Sequence, residues 1–328
     1  MFRKLKTKGG MVMKRLFVLS LLVLVFLFSS FAFAGDQLRF YVVSHGGPGD
    51  PFWGVVMKGM QDAAKVYGVK ATYLGPEKFS IQKLVNMLDS AIASKPDGIA
   101  VTITNAVALD EPLRKAIKQG IPVVAINVPD TRAPGERIPY LCYVGMDEYK
   151  GGVDAAWRML KEFTPKRAIV ANHEPGHTGL ELRAKGIKDV FSKKGIPVEE
   201  LDITGNPTKA VGIMSSYLSR HPDTDAIFTL GPLGTQPALK LLEEKKLFGK
   251  VKLSGWDLTP LMVEAIKEGK LLFTIEQQQY LQGYLPIVFL YTYKKYGLIP
   301  HGDVLTGPAI VDKSNVDVVE KTVAKGYR

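Results

Sequence analysis

From Leu38 onward the chain alternates between two hydrophobic periods. Short runs rich in β-branched and apolar residues, at 38–43, 69–74, 98–103 and 121–126, are separated by stretches in which apolar positions recur every three or four residues. The runs predict strands and the stretches between them predict helices. Residues 52–67 read as one helix. Ser80 is placed to cap another, in which Ile81, Leu84, Val85, Leu88 and Ile92 fall on one face. The alternation breaks at 128–139, "VPDTRAPGERIP", with three prolines and no period, and then resumes with predicted strands at 168–172, 198–203, 225–230, 251–255 and 271–275. Strands that alternate with helices imply parallel sheets covered by helices. The interruption in the middle implies two sheets, hence two α/β domains.

The first 34 residues follow a different pattern. Met13, Lys14 and Arg15 open a basic segment, an uncharged run extends from Leu16 to Ala34, and Ala32, Phe33 and Ala34 close it with small residues in the arrangement of a secretory cleavage site. This predicts a cleaved signal peptide over 1–34, a mature start at Gly35 and export to the periplasm; an uncleaved anchor is the competing reading. Translation starting at Met1 and at Met13 are both compatible with it. Six of the 43 basic residues lie in this leader, so the remainder carries 37 against 32 acidic residues and is only mildly basic. No basic run is interleaved with aromatics, which argues against a nucleic-acid partner. The single cysteine, Cys142, excludes an intramolecular disulfide and reads as an inert core thiol.

Open parallel sheets bind ligands beyond the carboxyl ends of their strands. The residues that follow the predicted strands are Asp50, Phe52 and Trp53; Thr102, Thr104 and Asn105; Asn127; His173, Glu174 and His177; Asn206; Gly231 to Gly234; Trp256 and Asp257; and a run beginning Glu276 and Gln277. The collection is polar, mostly uncharged and aromatic. It suits a neutral polyhydroxylated ligand, since planar amides and carboxylates bond adjacent hydroxyls while rings cover apolar C–H faces. A Walker A loop, a GxSxG elbow and an HExxH pair are absent, and "GGPGDPFWG" (46–54) lacks dinucleotide-loop spacing. His173 and His177 are four apart, but Pro175 and Gly176 between them work against a chelating helix face. No cofactor, no metal and no enzymatic activity are expected.

Five segments carry a family resemblance: "DPFW" (50–53), "GIPVVAINV" (120–128), "EPGHTGLELR" (174–183), "VKLSGWDLTP" (251–260) and "TIEQQQYLQGY" (274–284). In this order and on these elements they resemble the type I periplasmic sugar-binding proteins, above all the ribose- and galactose/glucose-binding proteins. The resemblance implies two similar three-layer α/β/α domains with parallel sheets joined by a three-segment hinge. The implied lobes are 35–143 plus 278–303 and 144–277 plus 304–328, with crossings near Tyr143–Gly145, Glu276–Gln278 and Asp303. It further implies a monomer that captures a sugar between the lobes for the permease of an ABC importer, with a chemoreceptor as a further candidate partner.

The implied ligand residues are Asp50, Phe52, Trp53, Thr102, Asn105, Asn127, His177, Arg183, Asn206, Asp257 and Gln277. Asp257 also reads as a helix N-cap, Arg183 as a solvated helix position and Gln277 as part of a domain-crossing segment. Of Phe52 and Trp53, one ring is expected on the ligand and the other in the core. Several positions depart from the family pattern. Asn127 stands where Asp is usual, Gly179 replaces a polar residue, Gly205 and Asn206 lie where an aromatic covers the second sugar face, and Gly231 with Pro232 replaces an Asn. These departures imply a pocket less charged on one side and roomier on the other. A receptor for a sugar-derived signal or a nucleoside is the alternative. An exported carbohydrate-acting enzyme and a LacI-type regulator are further rivals, the last disfavoured because a leader occupies the place of its DNA-binding helices.

Overall fold

A computed structural model describes residues 37–328; the leader and its cleavage site lie outside the described residues. The order is β1 (Arg39–Val43), α1 (Pro51–Tyr67), β2 (Lys70–Leu74), α2 (Ile81–Ala93), β3 (Gly98–Val101), α3 (Ala106–Lys118), β4 (Val123–Asn127) and β5 (Tyr143–Met146). It continues with α4 (Glu148–Glu162), β6 (Ala168–Asn172), α5 (Thr178–Ser192), β7 (Val198–Asp202), α6 (Pro207–Arg220), β8 (Ala226–Thr229), α7 (Pro232–Glu244), β9 (Lys252–Trp256), α8 (Pro260–Lys267) and β10 (Phe273–Glu276). Then come α9 (Gln279–Tyr296), β11 (Val304–Gly307), β12 (Ala309–Asp312) and α10 (Val316–Ala324).

The strands form two six-stranded sheets, ordered β11-β5-β4-β3-β1-β2 and β12-β10-β9-β8-β6-β7. Strands one to five of each half therefore stack in the same order, 2-1-3-4-5, and each half is closed by a strand from the C-terminal segment. All pairs are parallel except β10 with β12. In this order the direction of winding reverses between the first and third strands of each half, which opens a crevice at their carboxyl ends. Fully buried strands such as β3, β4, β6 and β8 read as continuous apolar runs because helices cover both faces.

The predicted interruption at 128–139 is not the boundary between the sheets. It is a loop inside the first one, between β4 and β5. Buried Asp130 pins it: the carboxylate accepts from Arg132 and from the Ile138 amide, and Arg132 also reaches Asp110 at 2.5 Å. The strands β5 and β11 pair with each other in the first sheet, so the chain crosses after Met146 and after Gly307. The first adjoins the expected Tyr143–Gly145, and the second lies four residues past Asp303. After β10 ends at Glu276, α9 packs on the first sheet's α1.

Two helix pairs bring backbone to backbone. A Cβ on Gly283 of α9 would lie 1.9 Å from the Val56 carbonyl oxygen of α1, and one on Gly152 of α4 would lie 2.1 Å from the Arg183 carbonyl oxygen of α5. Only glycine permits either approach. The second one sets where Arg183 stands relative to the start of α4. Cys142 is buried, and burial pushes its thiol up to about 11. No helix among the described residues is long and apolar enough to cross a membrane.

Candidate functional site

The strand-end loops of both halves converge on one cleft. Its walls include Asp50, Phe52, Trp53 and Asn127 from the first lobe, with His177, Arg183, Asp257 and Gln277 from the second lobe and the crossing. Asn206 is not among them; it borders a second, larger space at the cleft mouth. Thr102 and Asn105 line neither space. Thr102 is fully buried against the ring of His45, and Asn105 caps α3 by accepting from Ala108.

Local structure explains why so many site residues follow strands. A β→α turn must cap the next helix, and Asp50, His177 and Asn206 all do so, through bonds from Phe52, Leu180 and Lys209. Asp257 does not: the cap of α8 is Thr259, which accepts from Met262. Asp257 instead adopts φ 64°, and Asn127, at the equivalent end of the fourth strand in the other half, adopts φ 61°. Asn and Asp tolerate this left-handed conformation better than other side-chain-bearing residues, at some cost in strain. The two residues face a common partner. Gln277 donates to Asp257 Oδ2 at 3.4 Å, and its Oε1 accepts from Asn127 Nδ2 at 3.4 Å. Gln282 joins this amide cluster through Asn127 Nδ2 at 3.1 Å and Gln277 Oε1 at 3.0 Å.

Arg183 is buried, not solvated. Its Nε donates to Glu148 Oε2 at 2.5 Å and its Nη1 to the Leu230 carbonyl at 2.6 Å, with the guanidinium over the Trp256 ring. Glu148 is thus the charge partner that burial demands. Asp257 Oδ1 has no partner, and burial pushes the carboxyl up to about 8, opposed by the Arg183 charge. Glu174 is pushed up to about 8 by burial and by Asp50, and Asp50 to about 6 by burial against the Phe52 amide.

Three histidines border the same cleft. His45 Nε2 and His177 Nε2 lie 2.9 Å apart, joining the lobes, and His45 Nε2 stands 3.8 Å from Glu174. The bonding network assigns their tautomers. His177 Nδ1 accepts from the Leu180 amide, so the neutral ring carries its proton on Nε2 and donates it to His45; His45 then carries its own on Nδ1 and donates to Thr102. Burial holds His45 and His173 down at about 3 and His177 well below its ordinary value. The same logic tells against His45, Glu174 and His177 as ligands of a cation, although their donor atoms lie within 4.8 Å of one another. The His177 nitrogen that would coordinate is the one obliged to hold a proton. A second interlobe tie runs from Thr178 Oγ1 to the Thr104 carbonyl at 2.7 Å.

His45 and Glu148 are site residues that the sequence reading does not name, while His173 and Glu174 stand in its strand-end collection but not among the implied ligand residues. His173 and Glu174 follow β6 directly and carry the same strand-end signal as the residues chosen. His45 stands two positions beyond β1.

The profile of a family described as a periplasmic binding protein domain matches residues 40–297. A xylose/arabinose-binding protein of Sulfolobus acidocaldarius is 30% identical over 282 residues, covering 81% of this chain and 69% of the relative. The ribose import binding protein of Bacillus subtilis is 28% identical over 239 residues, covering 72% of this chain and 75% of its own length. Among solved structures, a periplasmic sugar-binding protein of an ABC sugar transporter from Legionella pneumophila is 32% identical with a TM-score of 0.78, covering 83% of this chain and 100% of the other. A carbohydrate transporter protein from Acidothermus cellulolyticus in complex with myo-inositol is 29% identical with a TM-score of 0.83, covering 89% and 100%.

Proposed function

The chain belongs to the periplasmic binding protein domain family, and from that premise we propose that it captures a small sugar or sugar-like polyol between its lobes and delivers it to an ABC importer. Relatives named for xylose and arabinose, for ribose and for a complex with myo-inositol support a polyhydroxylated ligand. The observation that carries the reading is Asp257. A carboxylate oxygen buried without a partner is costly, and a ligand hydroxyl donating to it would remove that cost. Arg183, already held by Glu148 and Leu230, supplies a fixed fork beside it, and Gln277 and Asn127 supply amides that can both donate and accept. Phe52 offers an apolar face from the first lobe.

The role is capture, not chemistry. A ligand that bonds Asn127 and Asp50 on one lobe and Arg183 and Asp257 on the other stabilises the closed arrangement by its differential contacts. The permease then distinguishes closed from open by the surface the two lobes jointly present. The leader read from the sequence supports export, with the mature protein acting outside the cytoplasm.

The test is a thermal-shift screen of pentoses, hexoses, inositols and nucleosides, followed by calorimetry on each hit. A hundredfold excess over Kd stabilises the native state by about 2.7 kcal/mol. A sugar or inositol that raises the melting temperature and titrates to one site is the expected result; binding by none of them would sink the reading.

A further inference from the structure

His45 and His177 spend their ring nitrogens on each other, on Thr102 and on the Leu180 amide. The third histidine of the cleft does not. His173 is 7% exposed, lines both the inner cleft and the larger space at its mouth, and buries Nδ1 without a partner. A buried polar atom left unpaired is costly, yet the fold makes room for this one. A Cβ on Gly231 would lie 2.7 Å from His173 Cε1 and 3.1 Å from Nε2, so the ring fills the space that this glycine leaves. Gly231 is extended at φ 175°, so its missing side chain serves the ring and not the backbone. The family resemblance puts an Asn at this position. We infer that His173 is a specificity-determining residue, whose free nitrogen hydrogen-bonds a ligand hydroxyl and so supplies, from the neighbouring strand end, the polar contact that Gly231 cannot make. This rests on the sugar reading of the cleft.

The ring suits a hydroxyl in particular. Burial and the Arg183 charge hold it neutral, at about 3, so one nitrogen donates and the other accepts. A hydroxyl does both and can pair with Nδ1 in either tautomer, whereas a carboxylate or an ammonium can pair in only one. The turn that carries the ring is fixed from the second lobe. Asn172 Oδ1 accepts the Glu174 amide at 3.0 Å, and Asn172 Nδ2 donates to Glu200 at 2.8 Å. Gly231, which the ring packs against, follows β8, and β8 pairs with β6 in the same sheet. That independence matters because the cleft leaves a cavity of only about 30 Å³, room for a water or two. A ring enters where side chains or the lobes themselves give way, and a group held from one lobe alone keeps its place while they do.

The experiment is calorimetry with D-xylose, L-arabinose, D-ribose, D-glucose, D-galactose and myo-inositol, and with the monodeoxy analogues of whichever binds most tightly. It compares the wild type with His173→Leu and Gly231→Ala, with a thermal melt of each protein. Leucine is close to the imidazole in volume and leaves no polar atom unpaired, so His173→Leu should melt no lower than wild type. It should bind the sugar about tenfold more weakly, the scale of one hydrogen bond. One monodeoxy analogue should show a similar loss on the wild type and no further loss on His173→Leu, which pairs that hydroxyl with His173. Gly231→Ala pushes a methyl into the ring and should weaken the sugar too; the same comparison on it decides the matter should the leucine variant not fold. If a sugar binds and the variants keep its affinity, or if every deoxy analogue loses as much on the variants as on wild type, His173 is a packing residue and the sugar reading stands. If none of the six binds, the sugar reading falls and this role with it.

Discussion

His45 and His177, one from each lobe, meet Nε2 to Nε2 at 2.9 Å across the cleft, and the protons of both rings are committed by the bonds on their far sides. The contact therefore exists only while both rings are neutral. Burial lowers His45 to about 3, and His173 and the Arg183 charge push the same way. With the lobes apart, the ring titrates near its ordinary value of about 6.5. The contribution of His45 to closure is then fully present above about pH 6.5 and declines as pH falls from there toward 3. Glu174, facing His45 and raised to about 8, has the opposite sign: its contribution is present at acid pH and is lost as pH rises from the ordinary carboxylate range through about 8.

Other buried groups of the cleft add to both terms, His173 and His177 with the sign of His45, Asp50 and Asp257 with the sign of Glu174, so variants must separate them. His45→Asn removes one proton-linked group. Its affinity relative to wild type should improve by about tenfold per pH unit between 6.5 and 4.5. Glu174→Gln should flatten the loss of affinity between pH 6.5 and 8. Calorimetry at five pH values with one hit sugar reads both slopes; a His45→Asn profile parallel to wild type would show that the contact is not linked to protonation.

Asp257 is the residue on which affinity and stability should separate. Its Oδ1 is buried without a partner and its carboxyl is raised to about 8. Asp257→Asn relieves that burial, so the ligand-free protein should melt at the same temperature or higher. Affinity at pH 7 should fall by about 0.5–1.5 kcal/mol, the range for a hydrogen bond to an uncharged group, because a carboxyl raised to about 8 is mostly protonated there. Thermal melts beside titrations decide it. A variant that melts early and binds normally would make Asp257 a structural residue.

Glu148 should behave in the opposite way. It is buried, and it supplies the carboxylate that neutralises Arg183. Glu148→Ala leaves an uncompensated buried guanidinium and should cost about 3–5 kcal/mol in urea unfolding. A cost under about 1 kcal/mol would mean that Asp257 can take over as the counter-charge.

The fold was legible because each buried strand is a continuous apolar run and each covering helix shows a one-sided period. What escaped were β5, β11 and β12, each four residues long. Length alone is not the reason, since β3, β8 and β10 are equally short; these three lie where the chain passes between the sheets and pair at a sheet edge. At the site, the rule that ligands gather beyond strand ends selects Asp50, Asn127, His177, Asp257 and Gln277, which the fold brings to one cleft. It also brought in Asn105, because a helix cap in a β→α turn carries the same residue types as a binding group. Glu148 left no trace in the sequence. It sits at the first position of α4, where an acidic residue is ordinary, and its burial is created by Arg183, 35 positions away.

Phe52 and Trp53 both border the cleft, yet their surroundings differ. Trp53 is 2% exposed and packs edge-on to His45 and to Phe52, with Tyr73 nearby. A Cβ on Gly46 would lie 2.0 Å from its indole Nε1. The indole thus occupies the space that the glycine of the β1–α1 loop leaves open, and it is part of the first lobe's framework. Trp53→Ala should cost about 3–5 kcal/mol of stability, as for other buried aromatics. Gly46→Ala should also destabilise, by clashing with the same ring. The two effects share one cause, so the double variant should lose less than the sum of the singles. Phe52 is the ring left to serve the ligand. Phe52→Ala should weaken sugar binding by more than about 1 kcal/mol, the scale of a good aromatic contact, with a smaller loss of stability than Trp53→Ala. Urea titrations of all four variants, with calorimetry on Phe52→Ala, measure these quantities. Additive losses for Gly46 and Trp53 would refute the shared-space account, and normal sugar affinity in Phe52→Ala would reduce the pair to packing.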